Sequence, residues 1–110
     1  MLTGRPPQAV QRFVDAAAKR DFEAVAECFT EDATVTDEER THRGKAQIRK
    51  WQEDGRKQWE YTLTVRGGRA RGADGYVMQG HLSGNFPGGE ADVRYDFTLR
   101  GGLISHLAIS

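Results

Sequence analysis

The apolar positions of this chain change period once, near residue 60, and the change separates a helical half from a stranded one. Before it, Val10, Phe13, Val14 and Ala17 recur at i, i+3, i+4 and i+7, following Pro6 and Pro7, which suit a first helical turn. The spacing predicts one amphipathic helix over roughly residues 6–20. Asp21 then stands where a helix cap belongs, and Phe22, Val25, Ala26 and Phe29 repeat the spacing, which predicts a short second helix beside the first. The β-branched run from Ala33 to Thr36 predicts a short strand, and the polar stretch from Asp37 to Gly44 a loop. Ile48, Trp51, Gly55 and Trp59 fall near one face of a third helix, which leaves Lys45, Arg49, Lys50, Glu53 and Arg56 to solvent.

From Glu60 onward the period is two. Tyr61, Leu63 and Val65 alternate with Thr62 and Thr64 until Gly67 and Gly68 interrupt them. Further strands are predicted at Tyr76–Ser83, Val93–Arg100 and Leu103–Ile109, separated by Gly75, by the Gly84–Gly89 segment and by Gly101-Gly102. Helices first and strands afterward, without βαβ alternation, predict an α+β fold in which three N-terminal helices pack on a mostly antiparallel sheet. At 110 residues, with no internal repeat or linker, the chain is expected to form one domain spanning 1–110.

Charge and composition narrow the function classes. Sixteen Lys plus Arg balance sixteen Asp plus Glu, so no net field draws the chain to nucleic acid or to an anionic membrane. Cys28 is the only cysteine, which rules out an intramolecular disulfide and leads to an expected cytoplasmic location. No apolar run of about eighteen residues occurs, and the first residues lack the apolar stretch of a signal peptide, so neither a membrane span nor export by that route is expected. His42, His81 and His106 have no second histidine or cysteine at metal-ligand spacing, and neither a metal nor another cofactor is expected.

Gln11 to Trp51 resembles the opening of SnoaL-like proteins and ketosteroid isomerases of the nuclear transport factor 2 superfamily. The resemblance is carried by the two helices broken at Arg20-Asp21, by Phe29, Asp32 and Ala33 in FTEDATV, and by Gly44, Ile48 and Trp51 in RGKAQIRKW. The segment GNFPGG at 84–89 and the closing DVRYDFTLRGGLISHLAIS at 92–110 are similar to the last hairpin of small SnoaL-like proteins. The resemblance implies a cone whose curved sheet wraps a long helix around an apolar pocket, often in a homodimer made through the outer sheet face. It does not imply one chemistry, because this fold serves isomerases, cyclases, dehydratases, epoxide hydrolases and binding modules.

Asp37 follows the first strand at the place where ketosteroid isomerases hold their proton-abstracting aspartate, which implies a general base there. Its neighbours Glu38, Glu39 and Arg40 read as a solvated charge run, where those isomerases continue with an apolar turn. The oxyanion hole of ketosteroid isomerase pairs a tyrosine with a protonated aspartate, and the corresponding set is incomplete here. Phe13 stands at the tyrosine's place and cannot donate, while Tyr95 aligns with the aspartate. Steroid isomerisation at the family's rate is therefore not expected, since each lost donor costs a few kcal/mol of transition-state stabilisation.

Val93, Tyr95, Phe97 and Leu99 alternate with Asp92, Arg94, Asp96 and Thr98, which directs Tyr95 inward and leaves Arg94 and Asp96 outside as an ion pair rather than an epoxide-hydrolase site. His81 shares its face with Val77, Gln79 and Ser83 and is expected outward; a one-residue slip would turn it into the cone as a proton relay. His42 could reach Asp37 across the pocket rim. Phe13, Trp51, Tyr61 and Phe97 are the candidate ligand-binding residues, although such side chains equally build a core. The segment 84–89 lacks the lysine of a phosphate-binding loop and reads as a mobile hairpin at the mouth of the cone.

Two functions of different class follow. One is a pocket that binds a small, apolar, carbonyl-bearing molecule, with isomerase or lyase chemistry from Asp37, Tyr95 and His81. The other is a noncatalytic dimeric binding or scaffold domain. Partner-protein binding, as in nuclear transport factor 2 itself, ranks below both for want of an apolar surface patch.

Overall fold

The computed structural model describes residues 6–110. Helix α1 covers Gln8–Ala18 and α2 covers Phe22–Glu27. Strand β1 covers Phe29–Asp37, β2 Arg40–Arg43 and helix α3 Gly44–Gln58. Strands β3 to β6 cover Tyr61–Arg71, Gly75–Gly84, Glu90–Arg100 and Leu103–Ile109. The architecture is the expected α+β one, with three helices on a single sheet of order β2-β1-β6-β5-β4-β3. Among the described residues only the β1–β6 pairing is parallel.

The helices form for the reasons their spacing gives. Val10, Phe13 and Ala17 are buried on α1, and Asp21 caps α2 by accepting a hydrogen bond from the Ala24 N–H. Phe29 is not the last residue of α2 but the first of β1, where it is fully buried and pairs with Ile104. The expected loop after Asp37 is a tight hairpin instead: Asp37 pairs with Arg40, and Val35 with His42. Its two-residue turn places Glu38 and Glu39 at φ 52° and 65°, a form that asparagine and glycine adopt more readily.

The core gathers on the concave side of the sheet. Phe13 meets Phe29, Tyr95 and Phe97 edge to face, with ring centroids 5.9, 6.4 and 5.7 Å away. Gly80 makes room for this layer: a Cβ there would lie 2.6 Å from Leu63 Cδ1 and 3.3 Å from Tyr95 Cε1. No helix among the described residues is long and apolar enough to cross a membrane.

Candidate functional site

Between the helices and the concave sheet face lie two adjoining cavities. The larger, about 1020 Å³, is walled by Asp37 and His42 from the β1–β2 hairpin, Trp51 and Gly55 from α3, and Val93 and Tyr95 from β5, with Phe86 and Pro87 of the 84–89 turn at its edge. The smaller, about 490 Å³, lies toward α1 and is walled by Phe13, Ala17, Arg56 and Leu63 among others. Gln52, Tyr61 and Tyr95 border both.

Asp37 ends β1 at the rim of the larger cavity, half-buried. The Trp51 indole N–H donates to its Oδ2 at 3.0 Å, which fixes one carboxylate oxygen and leaves Oδ1 for another partner. His42 reaches this corner through Trp51, with ring centroids 6.0 Å apart.

Tyr95 is buried, as its alternation predicts, and its ring stacks on Phe97 at 6.2 Å. Burial pushes its phenol well above the ordinary range, with the Tyr61 phenol and the Asp37 carboxylate adding in the same direction and Arg56 opposing. The hydroxyl therefore stays protonated at all physiological pH and can only act as a hydrogen-bond donor or neutral acceptor. Tyr61 is raised too, chiefly by burial, with the Arg56 guanidinium working against it.

Phe97, a candidate ligand-binding residue, is fully buried beneath Tyr95 and borders neither cavity. Phe13 borders only the smaller cavity, and Trp51 only the larger.

His81 lies on the opposite, convex face. The register sets it between Thr64 and Asp92, one residue off the inward-facing Gly80, so the slip that would turn it into the cone does not occur. Nδ1 contacts Asp92 Oδ1 at 2.7 Å and Nε2 contacts Glu90 Oε1 at 2.9 Å. Two carboxylates on two ring nitrogens favour the imidazolium, and these bonds raise the His81 pKa while lowering that of Asp92. Arg94 and Asp96 also lie on this face, where Arg71 on β3 donates to Asp96 at 2.9 Å.

A profile of the SnoaL-like domain matches residues 10–106. The chain belongs to the SnoaL-like family. No curated protein matches it. Among solved structures, a candidate polyketide cyclase from Sinorhizobium meliloti is 31% identical with a TM-score of 0.91, the match covering 96% of this chain and 95% of that one. A protein of ketosteroid isomerase-like fold from Catenulispora acidiphila, solved with trimethylamine, is 19% identical with a TM-score of 0.86, over 96% and 86% of the two chains. An epoxide hydrolase/cyclase-like enzyme of pyran ring formation in the polyether salinomycin is 20% identical with a TM-score of 0.80, over 93% and 86%. At such identities the last two establish the shared cone and nothing of its chemistry.

This SnoaL-like cone also holds two polar residues that sequence reasoning overlooked. Gln52 is buried, and so is Arg56, which was expected in solvent. Arg56 donates from Nη1 to the Tyr61 carbonyl at 2.7 Å and from Nη2 to the Ala17 carbonyl at 3.0 Å, with its guanidinium 4.0 Å above the Tyr61 ring. It thereby ties the end of α1 to the start of β3. The usable signal was helical spacing: Gln52 and Arg56 lie one and two turns beyond the fully buried Ile48.

Proposed function

We propose that this SnoaL-like protein binds a small, apolar carbonyl compound in the larger cavity and moves a proton on it, in an isomerase or cyclase-like reaction. The observation that carries this reading is the Trp51-held Asp37 carboxylate on a wall shared with the buried, protonated Tyr95 hydroxyl. Asp37 Oδ1 would take a proton from the carbon next to the carbonyl. The C–H electron pair would pass into an enolate, whose oxygen accepts a hydrogen bond from Tyr95. Return of the proton at another carbon completes an isomerisation; attack of the enolate carbon on a second carbonyl of the same molecule opens that C=O to an alkoxide, which takes the proton from Asp37 and completes a ring closure. The similarity to a candidate polyketide cyclase supports the second outcome.

The test is deuterium exchange. A panel of cyclic and aryl ketones in deuterated buffer is followed by proton NMR with wild-type protein and with Asp37→Asn. The expected result is loss of the signals next to the carbonyl with wild type alone. Equal rates for both proteins across the panel would leave the noncatalytic reading in its place.

A further inference from the structure

A buried cation in a protein is normally matched by a carboxylate, because taking a guanidinium out of water costs several kcal/mol unless an opposite charge returns it. Arg56 has no such match. It is 8% exposed, and no carboxylate of the described residues lies within ion-pair distance of it. Its partners are two neutral carbonyls and the face of the Tyr61 ring, none of them an anion, and its Nε is buried with no hydrogen-bond partner. One turn earlier on the same helix face, Gln52 Oε1 is likewise buried and unpartnered. Pairing those two atoms would leave the charge unmatched, because an amide oxygen is neutral.

Both residues wall the smaller cavity, and Gln52 also borders the larger one. The other cation on the smaller cavity's wall, Arg20, is already engaged by Glu60 at 3.1 Å, on the exposed surface. The remaining lining is mixed: Phe13, Val14, Ala17, Ala18 and Leu63 are apolar, Thr62, Ser83 and the two tyrosines are polar but neutral, and the one carboxylate, Glu60, is the group paired with Arg20. One guanidinium without a carboxylate partner, beside the apolar patch of Phe13, Val14, Ala17, Ala18 and Leu63, suits a singly charged, planar anion on a hydrophobic body.

We propose that the smaller cavity is a carboxylate-binding subsite, in which Arg56 takes the acidic end of an apolar organic acid. The body of the acid then extends past Tyr61 and Tyr95, which border both cavities, toward Asp37. As a statement of substrate class this rests on the proton-transfer reading above, but as a binding site it does not.

The test uses 4-phenylbutyrate and its neutral amide, 4-phenylbutanamide, titrated calorimetrically into wild-type protein at pH 7. The acid is expected to bind about tenfold or more tightly than the amide, the usual contribution of hydrogen bonds to a charged group. Arg56→Met, shown to be folded by circular dichroism, should bind the two alike. Because Arg56 also holds the Ala17 and Tyr61 carbonyls, Arg56→Lys runs in parallel; it keeps the cation and should keep a reduced preference for the acid. Equal binding of acid and amide by wild type, or an undiminished preference in folded Arg56→Met, overturns the inference. The assay involves no turnover, so acid binding without deuterium exchange would defeat the catalytic reading alone, and exchange on neutral ketones without acid preference would defeat this one alone.

Discussion

The indole N–H of Trp51 on α3 donates to Oδ2 of Asp37 at the end of β1, 3.0 Å away, and so joins the helix to the rim of the cavity at the proposed base. Trp51→Phe removes the donor and keeps most of the ring. Loss of one partly buried hydrogen bond should cost about 1 kcal/mol of stability. If the bond orients Asp37, Trp51→Phe should also slow deuterium exchange by about tenfold, whereas a purely structural bond would change the melting temperature and leave the exchange rate untouched.

Tyr95 offers a sharper separation of roles. Its ring packs against Phe13 and Phe97, while burial is the main cause of the raised phenol pKa. Tyr95→Phe keeps the packing and removes only the hydroxyl, so stability should change by less than about 1 kcal/mol. Exchange should fall by about 10²- to 10³-fold, the usual effect of deleting one oxyanion donor. A large loss of stability with unchanged exchange would show that the hydroxyl serves the fold.

Much of this was legible in the sequence because burial follows period. Spacing at 3.6 located α1 and α3, and alternation at two placed Tyr95 inward and Arg94 outward. The β1–β2 hairpin was not legible, since Arg40–Arg43 carries no apolar alternation and its Glu-Glu turn contradicts the preference for asparagine and glycine. Arg56 was misplaced for a related reason: a charged residue in an amphipathic helix is read as solvated, and its actual partners, the Ala17 and Tyr61 carbonyls, come from elements distant in sequence or just beyond the helix end. Asp37 and Trp51 were each recognisable, but their bond was not, because it depends on how α3 crosses the hairpin.

The convex-face cluster makes stability depend on pH. His81 has its pKa raised by Asp92 and Glu90, so its contribution is fully present below the unfolded histidine value, about 6.5, and fades as pH rises through the higher folded value. Asp92 is lowered by His81, so its contribution is present above its unfolded value and is lost as pH falls through the folded one. The cluster therefore supports the fold best between about pH 4 and 6.5. Melting temperatures of His81→Gln against wild type should differ most in that window and draw together as pH rises through the raised folded value. Deuterium exchange should not change, because His81 lies on the face opposite the cavity. A loss of exchange in His81→Gln would require a route from the convex face to the site.

Glu38 and Glu39 are the positions where local preference and the observed backbone disagree most. Both have positive φ, both are exposed, and their two-residue loop is fixed by the Asp37–Arg40 pair that holds Asp37 at the cavity rim. A non-glycine residue held in this region costs on the order of 1 kcal/mol or more. Asparagine followed by glycine fits such a turn without that cost, although glycine returns part of the gain through the entropy of the unfolded chain. The double variant Glu38→Asn, Glu39→Gly should therefore gain about 1 kcal/mol, a rise in melting temperature of roughly 4–8 °C for a domain of this size. It keeps Asp37 and the hairpin register, so exchange should persist. An unchanged or lowered melting temperature would mean that the two glutamates hold the turn through interactions stronger than the backbone strain. A stabilised variant with lost exchange would instead show that the rim must flex, or must keep its negative charge, for substrate to reach Asp37.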